Sequence, residues 1–203
     1  MHFNQALNNP VFKTIADCAA KLELPCYVVG GFVRDFALNR KASQDIDIVA
    51  IGNGIKLAQK VAEKLSKKPK VSIFKTYGTA MVRMEDIELE FVGARKESYR
   101  SESRNPEVSK GTIEEDQKRR DFTINALAIS LNSEDYGRLL DPFDGIGDLE
   151  KKRIVTPLDP NLTFSDDPLR MLRCVRFVSE LDFNVDVNLI NFIKTYKNQL
   201  SLV

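Results

Sequence analysis

Residues 26–50 read CYVVGGFVRDFALNRKASQDIDIVA. A four-residue apolar run stops at Gly30-Gly31, a short helix-like stretch follows over 32–39, and a strand over 45–50 alternates aspartate with isoleucine. This strand–glycine–helix–strand order is βαβ-like and commits the chain to a sheet with helices against it. Further on the pattern is hairpin-like, with strands around 71–75 and 79–84, a turn at Glu85-Asp86, and the run IELEFVGA at 87–94. A mixed sheet flanked by helices is therefore expected, not a purely parallel one.

Helical spacing of Val11, Ile15, Ala19 and Leu22 predicts a helix over 10–22, and IKLAQKVAEKLSKK predicts another after the turn signal GNG at 52–54. Residues 95–118 are charged and almost without apolar anchors, which predicts a mobile loop with a helix starting near Thr112. FTINALAISL at 122–131 reads as a helix passing into a strand, and DPFDGIG at 141–147 as a turn. From about 149 the pattern is helical, broken by proline-containing loops over 157–168. The expected division is an α/β unit over 1–148 and an all-α unit over 149–203.

Composition narrows the chemistry. The net charge is +1, so no global basic field holds a polyanion, and any anionic ligand needs a local cluster. No apolar run approaches the ~20 residues of a membrane helix, and MHFNQALNNP lacks the build of a signal peptide. The three cysteines, Cys18, Cys26 and Cys174, have neither metal-site nor redox-motif spacing, which fits a reducing compartment and hence the cytoplasm. The single histidine, His2, lies at the N-terminus. Histidine-based nucleophilic triads and histidine-ligated zinc are thereby disfavoured, leaving carboxylates, arginines, lysines and metal ions for any catalysis.

Five stretches can carry such chemistry. Gly30-Gly31 at a strand-to-helix turn lets a ligand approach the backbone, and Arg34 one turn later can reach a phosphate oxygen; the same residues also make an ordinary tight turn. Asp45 and Asp47, at i and i+2, share one strand face and can share magnesium, or form a solvated polar face. Glu88 and Glu90 repeat that pattern, and either becomes a third site carboxylate or a proton acceptor if the two strands are neighbours. Arg119-Arg120-Asp121 opens an apolar helix containing Asn125, and cations at a helix N-terminus oppose the dipole, which hints at an anion. Asp166 or Asp167 can cap a helix on which Asp167, Arg170, Arg173 and Arg176 share one face, with Met171, Leu172, Val175 and Val178 opposite.

The order GGFVRD, DIDI, LEFVGAR, RRDFTINALAI, DPFDGIGDL, DDPLRMLRCVRF, spanning about residues 27–183, resembles the class II tRNA nucleotidyltransferases. These are the CCA-adding enzymes and the related bacterial poly(A) polymerases of the polymerase-β-type superfamily. The resemblance implies an α+β, polymerase-β-like head followed by an all-α neck. It implies that Asp45 and Asp47 hold Mg2+, that Glu90 completes the acidic site, and that an RNA 3′-hydroxyl attacks the α-phosphate of ATP or CTP with release of pyrophosphate. Gly30, Gly31 and Arg34 would hold the triphosphate, Arg120 would contact the nucleotide, and Asp121 and Asn125 would arrange the ribose side. Asp167 and Arg170 would read the base, with Arg173 and Arg176 on the nucleotide-facing side. The acid before Asp167 is usually glutamate in this family and is Asp166 here. Family members usually continue into regions that grip the tRNA, so the resemblance implies an N-terminal fragment whose partners are ATP, CTP and the tRNA 3′ end.

CCA addition is the expected activity, with poly(A) synthesis or addition of C only or A only as alternatives. A sugar-nucleotide glycosyltransferase also uses a DxD pair but does not account for RRDFTINA or DDPLRMLRCVRF. A non-catalytic nucleotide- or RNA-binding module does not need both aspartates.

Overall fold

A computed structural model describes residues 2–41, 43–98 and 107–198 of the chain. The chain enters through helix α1 (Pro10–Lys21), started by Asn9, whose side chain accepts from the Val11 amide at 3.0 Å, with Pro10 as the first helical residue. Strand β1 (Cys26–Val29) leads through Gly30 into helix α2 (Gly31–Ala37), then strand β2 (Asp45–Ala50) and helix α3 (Gly54–Lys64). Strands β3 (Val71–Phe74), β4 (Thr79–Arg83) and β5 (Glu88–Gly93) follow.

The expected mixed sheet is present: seven strands in the order β3-β4-β5-β2-β1 and then two later strands, with β2–β5 the one parallel pair in it. The opening unit is not a parallel βαβ crossover, because β1 and β2 run antiparallel. Seven helical residues span only about 10 Å, too little to carry the chain back along a strand. Strand β2 therefore starts where β1 ends and returns beside it, with Val29 opposite Asp47.

The segment expected as a loop over 95–118 contains regular structure. Strands β6 (Arg95–Ser98) and β7 (Glu107–Lys110) pair antiparallel, while residues 99–106 lie outside the described residues. The expected helix start is found: Thr112 and Glu115 form a reciprocal capping box at the head of α4 (Ile113–Lys118). Arg119 and Arg120 do not open an apolar helix. Arg119 is the C-cap of α4, where cations suit the dipole, and both guanidiniums turn back to Asp116.

A single 3-10 turn (Thr123–Asn125) leads into β8 (Ala128–Ser130), which pairs with β1 and with β9 (Leu139–Leu140). Helix α5 (Gly145–Glu150) follows, so the expected boundary at 148/149 falls inside a helix. Beyond it the chain is helical but not all-α: β10 (Arg153–Ile154) pairs in parallel with β11 (Asn184–Val185) around α6 (Pro160–Asp166) and α7 (Leu169–Leu181). Extended residues on either side of the two helices meet there, the Asn184 amide donating to the Lys152 carbonyl at 2.8 Å. Helix α6 occupies part of the expected 157–168 loop, because Asp159 caps it with Pro160 as its first residue. The last element is α8 (Val187–Tyr196).

The main core lies between α1, α3 and one face of the sheet, and continues through Phe122 to Phe164, Met171 and Phe177. A smaller cluster of Val29, Val49, Ala94, Ile113 and Ala128 closes part of the opposite face. On α7 the buried stripe is Arg170, Met171, Cys174, Phe177 and Leu181. Leu172 and Val175, placed on the apolar face opposite the arginines, are 53% and 61% exposed, because the helix turns the stripe of Arg170, Met171, Cys174, Phe177 and Leu181 inward instead. The three cysteines are buried and unbonded. Among the described residues no helix is long and apolar enough to cross a membrane.

Candidate active site

The antiparallel return of β2 brings the glycine pair and the aspartates to one place. Gly30 has φ +74°, a conformation that side-chain-bearing residues seldom adopt. A β-carbon built there would lie 3.2 Å from Oδ2 of Asp47 and 3.2 Å from Nη1 of Arg120. Gly30 is thus the gap in which a carboxylate and a guanidinium approach the same backbone. Parallel pairing of β2 with β5 sets Asp45 opposite Glu88 and Asp47 opposite Glu90, so four acids share one face of the sheet. Asp45 is exposed and Asp47 half-buried. Burial pushes the Asp47 carboxyl above its ordinary range; Arg120 opposes that shift and the Asp45 charge adds to it.

These carboxylates open into a cavity of about 600 Å³ between the sheet edge and α7. Of the residues predicted for the site, Gly30, Gly31, Arg34, Asp45, Asp47, Arg120, Asp121, Asn125, Asp167, Arg170, Arg173 and Arg176 all line it. Glu90 does not; it flanks Asp47 on the neighbouring strand. Asp166 ends α6 and is also absent from the wall. His2 is exposed and takes no part.

A chain of hydrogen bonds runs across the cavity floor. Arg34, 5% exposed, donates from Nε to Asp35 at 2.9 Å and from Nη1 to Oδ1 of Asn125 at 2.8 Å. Asn125 donates from Nδ2 to Asp121 at 3.1 Å. Asp121 accepts also from the Phe122 amide at 2.9 Å and from Nε and Nη2 of Arg173, each at 2.7 Å. The acceptor sites of the Asp121 carboxylate are therefore taken by protein donors.

Sequence reasoning passed over two residues here. Asp116 is fully buried and accepts from Arg119 at 2.6 Å and from Arg120 at 3.0 Å. Burial alone would raise its carboxyl, but the two guanidiniums outweigh that and hold it below the ordinary carboxylate range. An acid three and four residues before an arginine pair was the available signal. Phe177 is buried with three guanidiniums near its ring: Arg176 at 4.6 Å, Arg34 at 5.1 Å and Arg173 at 5.5 Å. Arg170 is also inside, donating to the Thr163 carbonyl at 3.1 Å, and Asp167 accepts from the Leu169 amide at 3.1 Å.

Among the described residues six arginines and six acids line the cavity, so the arginines alone do not make it strongly cationic. Among the described residues no group of three or more histidine, cysteine or acidic side chains is set to cage an ion. The Asp45–Asp47 pair nevertheless fits Mg2+, a hard ion that commonly binds one or two carboxylates and completes its shell with substrate phosphates and water. A half-buried carboxylate disfavoured as an anion by burial is where such an ion restores the balance.

Residues 26–155 match the family model described as "Poly A polymerase head domain". The chain is 43% identical over 162 residues to the A-adding tRNA nucleotidyltransferase of Aquifex aeolicus, covering 80% of this chain and 19% of that protein. It is 38% identical over 187 residues to the A-adding tRNA nucleotidyltransferase of Halalkalibacterium halodurans, covering 90% of this chain and 43% of that one. Among solved structures, a CCA-adding enzyme in complex with ATP superposes with TM-score 0.83 at 32% identity, covering 100% of this chain and 47% of its own. A tRNA nucleotidyltransferase complexed with a primer tRNA and an incoming ATP analogue gives TM-score 0.78 at 37% identity, covering 91% of this chain and 50% of its own. The chain spans about a fifth to two fifths of the length of these curated relatives. With a mixed sheet flanked by helices, a carboxylate pair beside a strand-ending glycine and a matching segment that covers most of its length, the chain belongs to the poly(A) polymerase head-domain family.

Proposed function

We propose that this chain carries the nucleotidyl-transfer site of an enzyme that adds CMP and AMP from CTP and ATP to the 3′ end of tRNA. One observation carries the reading: the register Val29–Asp47–Glu90 sets the carboxylate pair and the strand-ending glycine together in an arginine-lined cavity, with a third acid on the strand beside Asp47.

In this reading Gly30, Gly31, Arg34 and Arg120 receive the triphosphate. Helix α2 is too short for its dipole to do much, so the guanidiniums supply most of the attraction. Asp45 and Asp47 hold divalent ions, Mg2+ by the hardness of the donors, and such ions stabilise charge on the phosphate oxygens. The RNA 3′-hydroxyl attacks the α-phosphate, the bond to the β-phosphate breaks, and pyrophosphate leaves. Glu90, beside Asp47, takes the hydroxyl proton. Asp121 and Asn125, engaged with Arg173 and Arg34, act by orienting those arginines rather than by meeting the ribose directly. Asp167 and Arg170 read the base edge, and Arg173 and Arg176 lie along its side. In this reading the chain divides just past helix α5 into a catalytic unit and a largely helical base-reading unit. Burial of three unbonded cysteines supports a cytoplasmic location.

A second reading, addition of A only, is favoured by the similarity to A-adding relatives. The test is gel analysis of a tRNA lacking its 3′ end, incubated with CTP alone, ATP alone or both. Ordered C then A addition supports the first reading, single A addition to a CC end supports the second, and long A tails would overturn both. Asp45→Ala and Asp47→Ala variants should lose transfer by at least ~10³-fold while keeping nucleotide binding.

A further inference from the structure

The sheet continues past the carboxylates to an edge that nucleotide binding leaves unused. Residues directly paired on neighbouring strands point to the same side. Asp47, Glu90, Met81 and Ser72 therefore form one row across four strands, and Asp45, Glu88 and Arg83 form the next. Phe74, two residues beyond Ser72, lies on the same face. The reverse face, with Ile46, Leu89 and Val82, is buried. On the carboxylate face Ser72, Phe74 and Arg83 are exposed.

The charge there departs from the rest of the molecule. Between Lys64 and Arg83 the sequence has six basic residues and no acidic one, in a chain whose net charge is +1. Lys70 and Lys75, both exposed, bracket β3. Arg83 is held by Glu88 at 2.6 Å. Lysines on an edge strand are an ordinary guard against aggregation. That purpose does not explain aromatic side chains beside them: Phe74 is 43% exposed and Tyr77, in the turn after β3, 69% exposed. Cations beside open aromatic rings suit a single-stranded nucleic acid, whose phosphates meet the charges and whose bases stack.

We propose that the open face of β5, β4 and β3 is the track along which the acceptor RNA strand reaches Asp45 and Asp47. Lys70 and Lys75 meet its phosphates and Phe74 stacks on one of its bases. Three strand spacings separate Asp47 from Ser72, about 14 Å, room for roughly four stacked nucleotides. The track ends at Glu90, the acid placed to take the hydroxyl proton. The inference rests on the RNA-acceptor reading above and adds the path of approach.

The test is steady-state kinetics of the full-length protein with a tRNA acceptor lacking its terminal nucleotides. Phe74→Ala should raise the acceptor KM about 10-fold, in keeping with the loss of one stacked base. A Lys70→Ala/Lys75→Ala double variant should flatten the dependence of acceptor KM on salt by a slope of about 1.4. The nucleotide KM should stay unchanged in both, and Phe74→Tyr should restore the acceptor KM by keeping a ring. If the wild type transfers nucleotides but the acceptor KM of these variants does not move, the track is wrong while the activity stands. A variant that raises nucleotide and acceptor KM together points to general damage and likewise overturns it. If the wild type adds nothing to RNA, the proposed function falls and takes the track with it.

Discussion

Asp121 binds Arg173 through two guanidinium nitrogens, each 2.7 Å from the same carboxylate oxygen, although the two residues are 52 positions apart. The contact joins the segment after α4 to the middle of α7, and through Asn125 it extends to Arg34 on α2. One buried carboxylate therefore ties the arginine assigned to the triphosphate to the helix assigned to the base. Asp121→Ala should raise the KM for nucleotide and narrow the preference between CTP and ATP, because both arginines lose their anchor. Half of the Arg173 side chain is solvent-screened, so the stability cost should stay near 1–2 kcal/mol in urea denaturation. An unchanged nucleotide preference would remove Asp121 from this role.

Asp116 predicts a pH dependence. Its folded-state carboxyl is held below the ordinary value of 3.8, so it stabilises the fold fully above that value. As pH falls below 3.8 and through the lowered folded value, that contribution is lost. Asp116→Asn should cost about 2 kcal/mol at neutral pH, the order of a hydrogen bond to a charged group. The gap between variant and wild type should be smaller in a medium below pH 3.8 than at neutral pH. Urea titrations at the two pH values measure it; a gap independent of pH would contradict the assigned ion pairs.

At Gly30 both strain and crowding oppose a side chain. Gly30→Ala meets φ +74° with ψ −136°, a backbone strain of about 1–3 kcal/mol, and its methyl group presses on Asp47 and Arg120 together. Displacing either should lower kcat by on the order of 10²-fold, since small misplacements near reacting groups cost that much. Thermal unfolding and single-turnover transfer, run side by side, separate the two effects. A variant with normal kcat would show that Asp47 and Arg120 need not approach so closely.

Phe177 should matter through its ring. Phe177→Leu keeps an apolar side chain but removes the surface shared by Arg34, Arg173 and Arg176, and the edge contact with Phe122 at 5.8 Å. A loss of about 2 kcal/mol in stability is expected, with weaker nucleotide binding by calorimetry. Phe177→Tyr should bind nearly as well as wild type, and equal weakening in both variants would argue for shape rather than ring electrostatics.

The sequence by itself determined the local parts. The alternation of Asp45 and Asp47 with isoleucine, the glycines closing β1 and the helix starts at Pro10 and near Thr112 each depend on a few positions, and the structure has them where the pattern puts them. It misplaced what depends on partners far along the chain. Arg119 and Arg120 looked like the start of an apolar helix because their counter-ion, Asp116, lies behind them on the preceding one. Leu172 and Val175 looked internal because hydrophobicity alone does not say which side of α7 meets the core, and the anchoring of Arg170 and Phe177 decides that. The parallel pairing of β2 with β5 sets Glu90 beside Asp47, and the return of β2 along β1 brings Gly30 against it. Neither is local, since strand partners are chosen by burial of whole faces and by the short reach of α2. The residue types and their order lay in the sequence, and their meeting at one cavity was decided by the tertiary pairing of strands.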